Sequence, residues 1–201
     1  MPRIRPLAIL LGALGLLGRH AAADDKPKQP RPMVVSEAKL PEGFPQPGPV
    51  GTVIVKDYPA YRLARTKSGG GDGGMFMRLF RHIERNDVKM TAPVEMTLPK
   101  TRENAGTDDT AMAFLYANPQ IGTTGPDPAD GDVVVEDVPA LKVASVGIRG
   151  GYGPDAFARG EELVRGWLRE HPEWEEAGSP RALAYNSPFV PGMLKYACLL
   201  Y

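Results

Sequence analysis

Two thirteen-residue phrases set eighty positions apart constrain this chain more than any other feature of it. Val53–Arg65 reads VIVKDYPAYRLAR and Val133–Ser145 reads VVVEDVPALKVAS, with six of the thirteen positions identical. Chance gives about one identity over such a length, so a duplication accounts for them better. Each phrase is β-rich and broken by Pro-Ala, where a hairpin turn or a bulge is expected because proline cannot donate to a central ladder. Any fold for this chain must place two equivalent β units.

The residues after each phrase run in parallel. After the first comes a Gly-rich loop, Gly69–Gly74, and then a helix expected over Met75–Arg85. Its apolar residues Phe76, Leu79, Phe80 and Ile83 fall at i, i+3, i+4 and i+7, one buried stripe, and Asn86-Asp87 offers the turn that ends it. The second helix is expected from about Pro154 to His171, with its stripe at Phe157, Val164, Trp167 and Leu168, a proline at its start and Pro172 after its end. Proline-marked segments then lead into strands, Thr91-Ala92-Pro93 before Val94–Leu98 and Tyr185-Asn186-Ser187-Pro188 in the second half. Each half closes on a short apolar strand, Ala113–Tyr116 and Cys198–Tyr201. Asn118–Gly131, rich in Gly, Pro, Asp and Thr, joins the halves as a loop. The pattern predicts an α+β fold of two βαββ repeats with pseudo-twofold symmetry, their strands merged into one curved sheet covered by two helices.

The remainder of the chain sorts by composition. Residues 1–23 have the form of an export signal: Arg3 and Arg5, an apolar run from Leu7 to Leu17, and Ala21-Ala22-Ala23 as a cleavage site. That run falls short of the ~20 residues a membrane span needs. Export, to a periplasm or outside the cell, with no stable membrane insertion after cleavage, is therefore expected. Residues 24–49 carry seven prolines among mixed charges and read as an extended or disordered linker. The domain is then 50–201, enough for one core. Without residues 1–23 the chain has 21 basic and 24 acidic residues, a net charge of −3, which gives no electrostatic footprint for nucleic acid. Cys198 is the only cysteine, so no internal disulfide forms.

Few residues suggest covalent chemistry. There is no G-x-S-x-G elbow, and His82 and His171 lack paired metal-ligand spacing. The glycine run lacks the GK[ST] ending of a phosphate cradle and reads as a strand-to-helix loop. Cys198 on a closing strand reads as a small buried side chain. His82 sits off the apolar edge of its helix by 100° per residue, and reads as a solvated or hydrogen-bonded surface histidine.

The run FMRLFRHIERNDVKMTAPVEM, Phe76–Met96, together with Tyr58-Pro59 and Tyr185-Asn186-Ser187-Pro188, resembles the signature of the SOUL haem-binding protein family over about residues 50–201. The resemblance implies a twisted, barrel-like antiparallel sheet of two βαββ repeats flanked by two helices. It also implies a non-enzymatic binder of haem or a related tetrapyrrole, with the ligand in an apolar groove against the first helix. A tetrapyrrole needs apolar surface for its flat face and cations for its propionates. Matched onto the family motif, Phe76, Phe80 and Arg81 inherit that role, with Met77 just around the helix from them. Phe189 and Met193, near YNSP, are further candidates. The family usually has tyrosine where this helix has His82, and the strand histidine of some members corresponds to Asp57. The same residues leave two alternatives open. One is a module for another flat or amphiphilic molecule, since the duplicated plan also resembles bacterial effector-binding domains that accept apolar cations. The other is a hydrolase using a groove acid such as Glu84 or Glu95.

Overall fold

The computed structural model describes residues 37–67, 71–97, 111–187 and 189–201. Among these, two helices and nine strands make an α+β fold. In chain order they are β1 (Val53–Tyr58), β2 (Tyr61–Lys67), α1 (Gly71–Arg85), β3 (Val94–Thr97), β4 (Ala111–Leu115), β5 (Gly125–Asp127), β6 (Asp130–Val138), β7 (Leu141–Arg149), α2 (Pro154–Glu170), β8 (Arg181–Ala184) and β9 (Tyr196–Leu200). The strands form one sheet in the order β1-β7-β9-β8-β3-β4-β2-β6-β5, every neighbouring pair antiparallel. The sheet is open: β1 and β5 are its edges, so the strands do not close into the expected barrel.

The Pro-Ala breaks are neither hairpins nor bulges. β1 and β2 do not pair with each other, and neither do β6 and β7. Instead β1 lies on β7, with Tyr58 opposite Leu141, and β2 lies on β6, with Tyr61 opposite Val138. Each β phrase thus contributes its two strands to different parts of the sheet. Proline at the break, with no N–H to give, marks where the chain leaves one ladder for another.

Three apolar clusters hold the layers together. α1 packs on β2, β4 and β6, and puts Met75, Leu79 and Ile83 against Ala64, Met112, Phe114, Val133 and Val135. Leu79 is fully buried, worth roughly 1.5–3 kcal/mol relative to exposure. α2 covers β7, β1 and β9, burying Ala156, Phe157 and Val164 against Val146, Ile148 and Leu199. A side chain at Gly160 would meet Ile148 Cδ1 at 2.5 Å, so the bare backbone is what lets α2 approach β7. The third cluster lies on the opposite face of the sheet: Phe44, Tyr58, Tyr61, Leu63, Leu115, Val143, Leu183, Tyr185, Tyr196 and Cys198. β4 (AMAFL) and β9 (YACLL) are buried at all five positions, because they have cover on both faces.

The cover on that inner face comes from residues 37–50, most of them in the segment read as a linker. Glu37 accepts from the Ser187 amide and hydroxyl, both at 2.7 Å. The Lys39 carbonyl accepts from the Ala92 amide, and the Glu42 amide donates to the Ala117 carbonyl. Phe44 then stands edge-on to both Tyr58 and Tyr61, ring centroids 5.1 Å away in each case. Prolines removed the periodicity that would have marked this strap in the sequence, but apolar Leu40 and Phe44 still anchor it.

Smaller departures have local causes. α1 begins at Gly71, not Met75, so the last glycines of the run form its first turn, where amide groups need no intrahelical partner. Within the expected loop 118–131 a short strand, β5, lies along β6. Residues 1–23, expected to be an export signal, residues 24–36, Gly69, Gly70, Leu98 and Pro188 lie outside the described residues.

Candidate functional site

The expected helix patch exists as two adjacent rows on α1. Phe76 and Phe80, one turn apart, lie with planes 11° apart and centroids at 6.3 Å. Both are half-buried over the cluster beneath, Phe76 meeting Phe114 edge-on at 5.0 Å. The rings therefore pack on the sheet and also keep an outer edge. In the next row, Met77 is 45% exposed and Arg81 is exposed. The arginines of α1 differ in availability. Arg78 is held by Asp130 and Asp132 at 3.2 and 2.9 Å, and Arg85 by Asp127 at 2.7 Å. Arg81 has no ion-pair partner among the described residues. The structure thus brings Phe76, Met77, Phe80 and Arg81 together as an apolar patch with one uncommitted cation. Phe189 and Met193, 94% and 78% exposed, belong to the β8–β9 connection and not to the cluster beneath α1.

His82 is not a surface residue. It is 3% exposed, clamped between Asp127 of β5 and Tyr116 just past β4. Its Nδ1 bonds Asp127 Oδ2, and its Nε2 lies 2.8 Å from the Tyr116 hydroxyl. A carboxylate only accepts, so Nδ1 carries a proton, and a neutral ring then accepts from Tyr116 through Nε2. Burial alone would raise the Asp127 carboxyl, but bonds from His82, the Ala129 amide and Arg85 outweigh it and hold that carboxyl well below the usual carboxylate range. With both nitrogens engaged, His82 has no lone pair to offer a metal. The helical-wheel reading failed because β5 and the end of β4 wrap around the polar side of α1. Among the described residues no three His, Cys, Asp or Glu side chains gather to hold a metal ion.

The inner face carries a second group of buried polar side chains, of which the sequence reading singled out only Glu95 and Cys198. Glu95, 1% exposed, accepts from the Tyr61 hydroxyl at 2.8 Å and from Arg65 at 3.3 Å, with Arg181 3.8 Å away. Arg65 also bonds Glu136 at 2.6 Å and Thr97 at 3.1 Å. Further along, buried Lys56 donates to the Gln46 carbonyl at 3.0 Å and stands 3.8 Å from Cys198 Sγ. The Tyr196 hydroxyl donates to the Gly48 carbonyl and lies 3.2 Å from the same sulfur. The signal for this group was present as period-two alternation: Lys56/Tyr58, Arg181/Leu183/Tyr185 and Tyr196/Cys198 each share one face of a strand. Glu84, the other acid considered, is exposed on α1.

A sequence model of the SOUL heme-binding protein family matches residues 51–197, nearly the whole of the folded unit. The chain belongs to the SOUL family. The match spans both β phrases, both helices and the TAPVEM segment. No curated protein matches this SOUL protein by sequence. Among solved structures, EcmrR in its complex with DNA shares 14% identity at a TM-score of 0.54, covering 75% of this chain and 56% of that one. The SOUL chain thus spans about half of that EcmrR chain. The EcmrR C-terminal domain by itself aligns at 13% identity and TM-score 0.52, covering 75% of this chain and 95% of the domain. A hydrolase from Listeria innocua aligns at 9% identity and TM-score 0.52, covering 76% and 92%. At these identities the likeness is one of fold alone. No helix among the described residues of this SOUL protein is long and apolar enough to cross a membrane.

Proposed function

We propose that this SOUL protein is an exported, non-enzymatic carrier or buffer of haem or a related tetrapyrrole, bound against α1. The observation that carries the reading is the family match, joined to a patch whose composition suits the ligand. Phe76, Phe80 and Met77 offer apolar surface, and Arg81, the α1 arginine that has no ion-pair partner among the described residues, is there to take a propionate. A charge-assisted hydrogen bond of that kind is the stronger sort. Bound haem would supply only its own iron and ring. The residues of the chain would hold the flat face, orient the propionate and leave the iron without a histidine, because His82 is engaged on both sides. We attribute the paired β phrases to a duplication, supported by the six shared positions and by the reciprocal pairing of β1 with β7 and β6 with β2.

The deciding experiment is a haemin titration of wild type, Arg81→Glu and Phe80→Ala, followed by absorbance, each variant with a thermal melt. Arg81→Glu replaces attraction by repulsion and weakens binding by about 1–3 kcal/mol, roughly tenfold to a hundredfold. Phe80→Ala weakens binding too, with a lower melting temperature because the same ring packs on the sheet. Haemin binding unchanged in both variants removes the patch as the site. Export is tested separately: natively expressed protein beginning at Asp24 supports it, and Met1 retained in a membrane fraction opposes it.

A further inference from the structure

The face of the sheet opposite the helices is furnished beyond what its present cover uses. The strap of residues 37–50 crosses it, and a side chain on Gly147 would strike the Pro49 carbonyl oxygen at 2.5 Å and the Tyr196 hydroxyl at 2.6 Å. The strap is thus fitted closely to the sheet. Yet the hydroxyls of Tyr58 and Tyr185, 3% and 4% exposed, close no well-formed hydrogen bond beneath it and face only each other and the Cys198 sulfur. Buried polar groups in native proteins nearly always find good partners, so two hydroxyls left on such weak contacts in one cluster point to a partner that comes and goes.

The charges on this face are unequally satisfied. Glu95 already has Tyr61 and Arg65, with Arg181 beside it, so it does not call for a cation from outside. Lys56 has no carboxylate partner among the described residues; it has a backbone carbonyl of the strap and the distant sulfur of Cys198. Burial draws its ammonium below the ordinary value, a cost that an adjacent anion would relieve. Around it, Tyr58, Tyr61, Tyr185 and Tyr196 form an aromatic lining into which the strap inserts Phe44.

We propose that this inner face is a second binding site, for an apolar or aromatic monocarboxylate, and that strap residues Leu40–Pro49 occupy it as an intramolecular stand-in. Phe44 takes the place of the ligand's apolar body, and the Gln46 carbonyl that of a carboxylate oxygen at Lys56. When the strap lifts, the carboxylate accepts from Lys56, and the Tyr58 and Tyr185 hydroxyls gain a stronger acceptor than each other or the Cys198 sulfur. The site lies across the sheet from α1, so it does not rest on the haem reading.

The test uses the purified full chain with cis-parinaric acid, read by fluorescence, beside its methyl ester and the tetraphenylphosphonium cation. The acid binds Phe44→Ala at least about tenfold tighter than wild type, because the competing ring is gone, and at least about tenfold tighter than the ester. Lys56→Met abolishes the preference for acid over ester while its thermal melt shows a folded protein. Should Lys56→Met not fold, the acid-to-ester ratio on Phe44→Ala decides alone. The proposal is overturned if the acid fails to bind Phe44→Ala, if that variant binds it no better than wild type, or if ester or cation binds as tightly as the acid. Parallel haemin titrations separate the two sites: Lys56→Met keeps wild-type haemin affinity, and Arg81→Glu keeps wild-type affinity for the acid.

Discussion

The Nε2 of His82 and the hydroxyl of Tyr116 lie 2.8 Å apart, tying the last turn of α1 to the end of β4 inside the protein. His82→Ala removes this bond and the one to Asp127, leaving a buried hydroxyl and a buried carboxylate each short of a partner. The expected loss is about 2–4 kcal/mol, since stranded buried groups cost roughly 1–3 kcal/mol each. Denaturant unfolding measures it. The spectrum of bound haem stays the same; loss of a low-spin spectrum in a folded His82→Ala protein would instead give the iron a histidine ligand.

The pH dependence of that cluster comes from Asp127. Its folded value is depressed below the unfolded one of about 3.9, so its contribution is fully present above the unfolded value and fades as pH falls toward the folded one. Asp127→Asn mimics the protonated state beside His82, Arg85 and Tyr116. It should cost about 2–3 kcal/mol at pH 7, with the gap to wild type narrowing below about pH 4. A gap that is constant from pH 7 to pH 3 would mean that the charge of Asp127 contributes nothing.

Gly147→Ala tests the fit of the strap. The added methyl must displace Pro49 or the Tyr196 hydroxyl, and overpacking of this kind costs about 1–3 kcal/mol. The strap should open first, so limited proteolysis is expected to cut within residues 37–50 faster than in wild type, while the sheet remains resistant. Equal cutting rates would show that the strap adjusts without leaving.

Neither half should fold alone. A fragment of residues 49–117 lacks β7 for β1 and β6 for β2, and a fragment of 131–201 lacks the same partners in reverse. Unpaired edges and bare helix-facing surfaces then favour aggregation. Circular dichroism and sedimentation of each fragment check this, a monomeric fragment with a cooperative melt being the contrary result.

Much of this arrangement was legible in the residues. The i, i+3, i+4, i+7 spacing located α1 and α2 because each helix covers a single sheet face, and the alternating and continuous apolar runs located the strands for the same reason. The α1 patch was legible because helical geometry fixes which side chains sit together. His82 was misplaced because its burial comes from Asp127 and Tyr116, 45 and 34 positions away, and nothing local to α1 records them. The strap was missed because its hold on the sheet depends on two apolar side chains, backbone hydrogen bonds and the bonds of Glu37 to Ser187, none of which carries periodicity. Lys56, Tyr185 and Cys198 converge only once β1, β8 and β9 share a sheet, so their alternation was visible but their meeting was not.

The exchange of strands between the two β phrases also sets an order of events. Val53 meets Val146 about ninety positions later in the chain, and β1 has no other ladder to join. A ribosome that has released only the first half has released a helix and strands whose outer partners do not yet exist. Closing loops of that length precedes the contacts that reward it, which slows folding. The sheet therefore completes only after the last residues of β9 emerge.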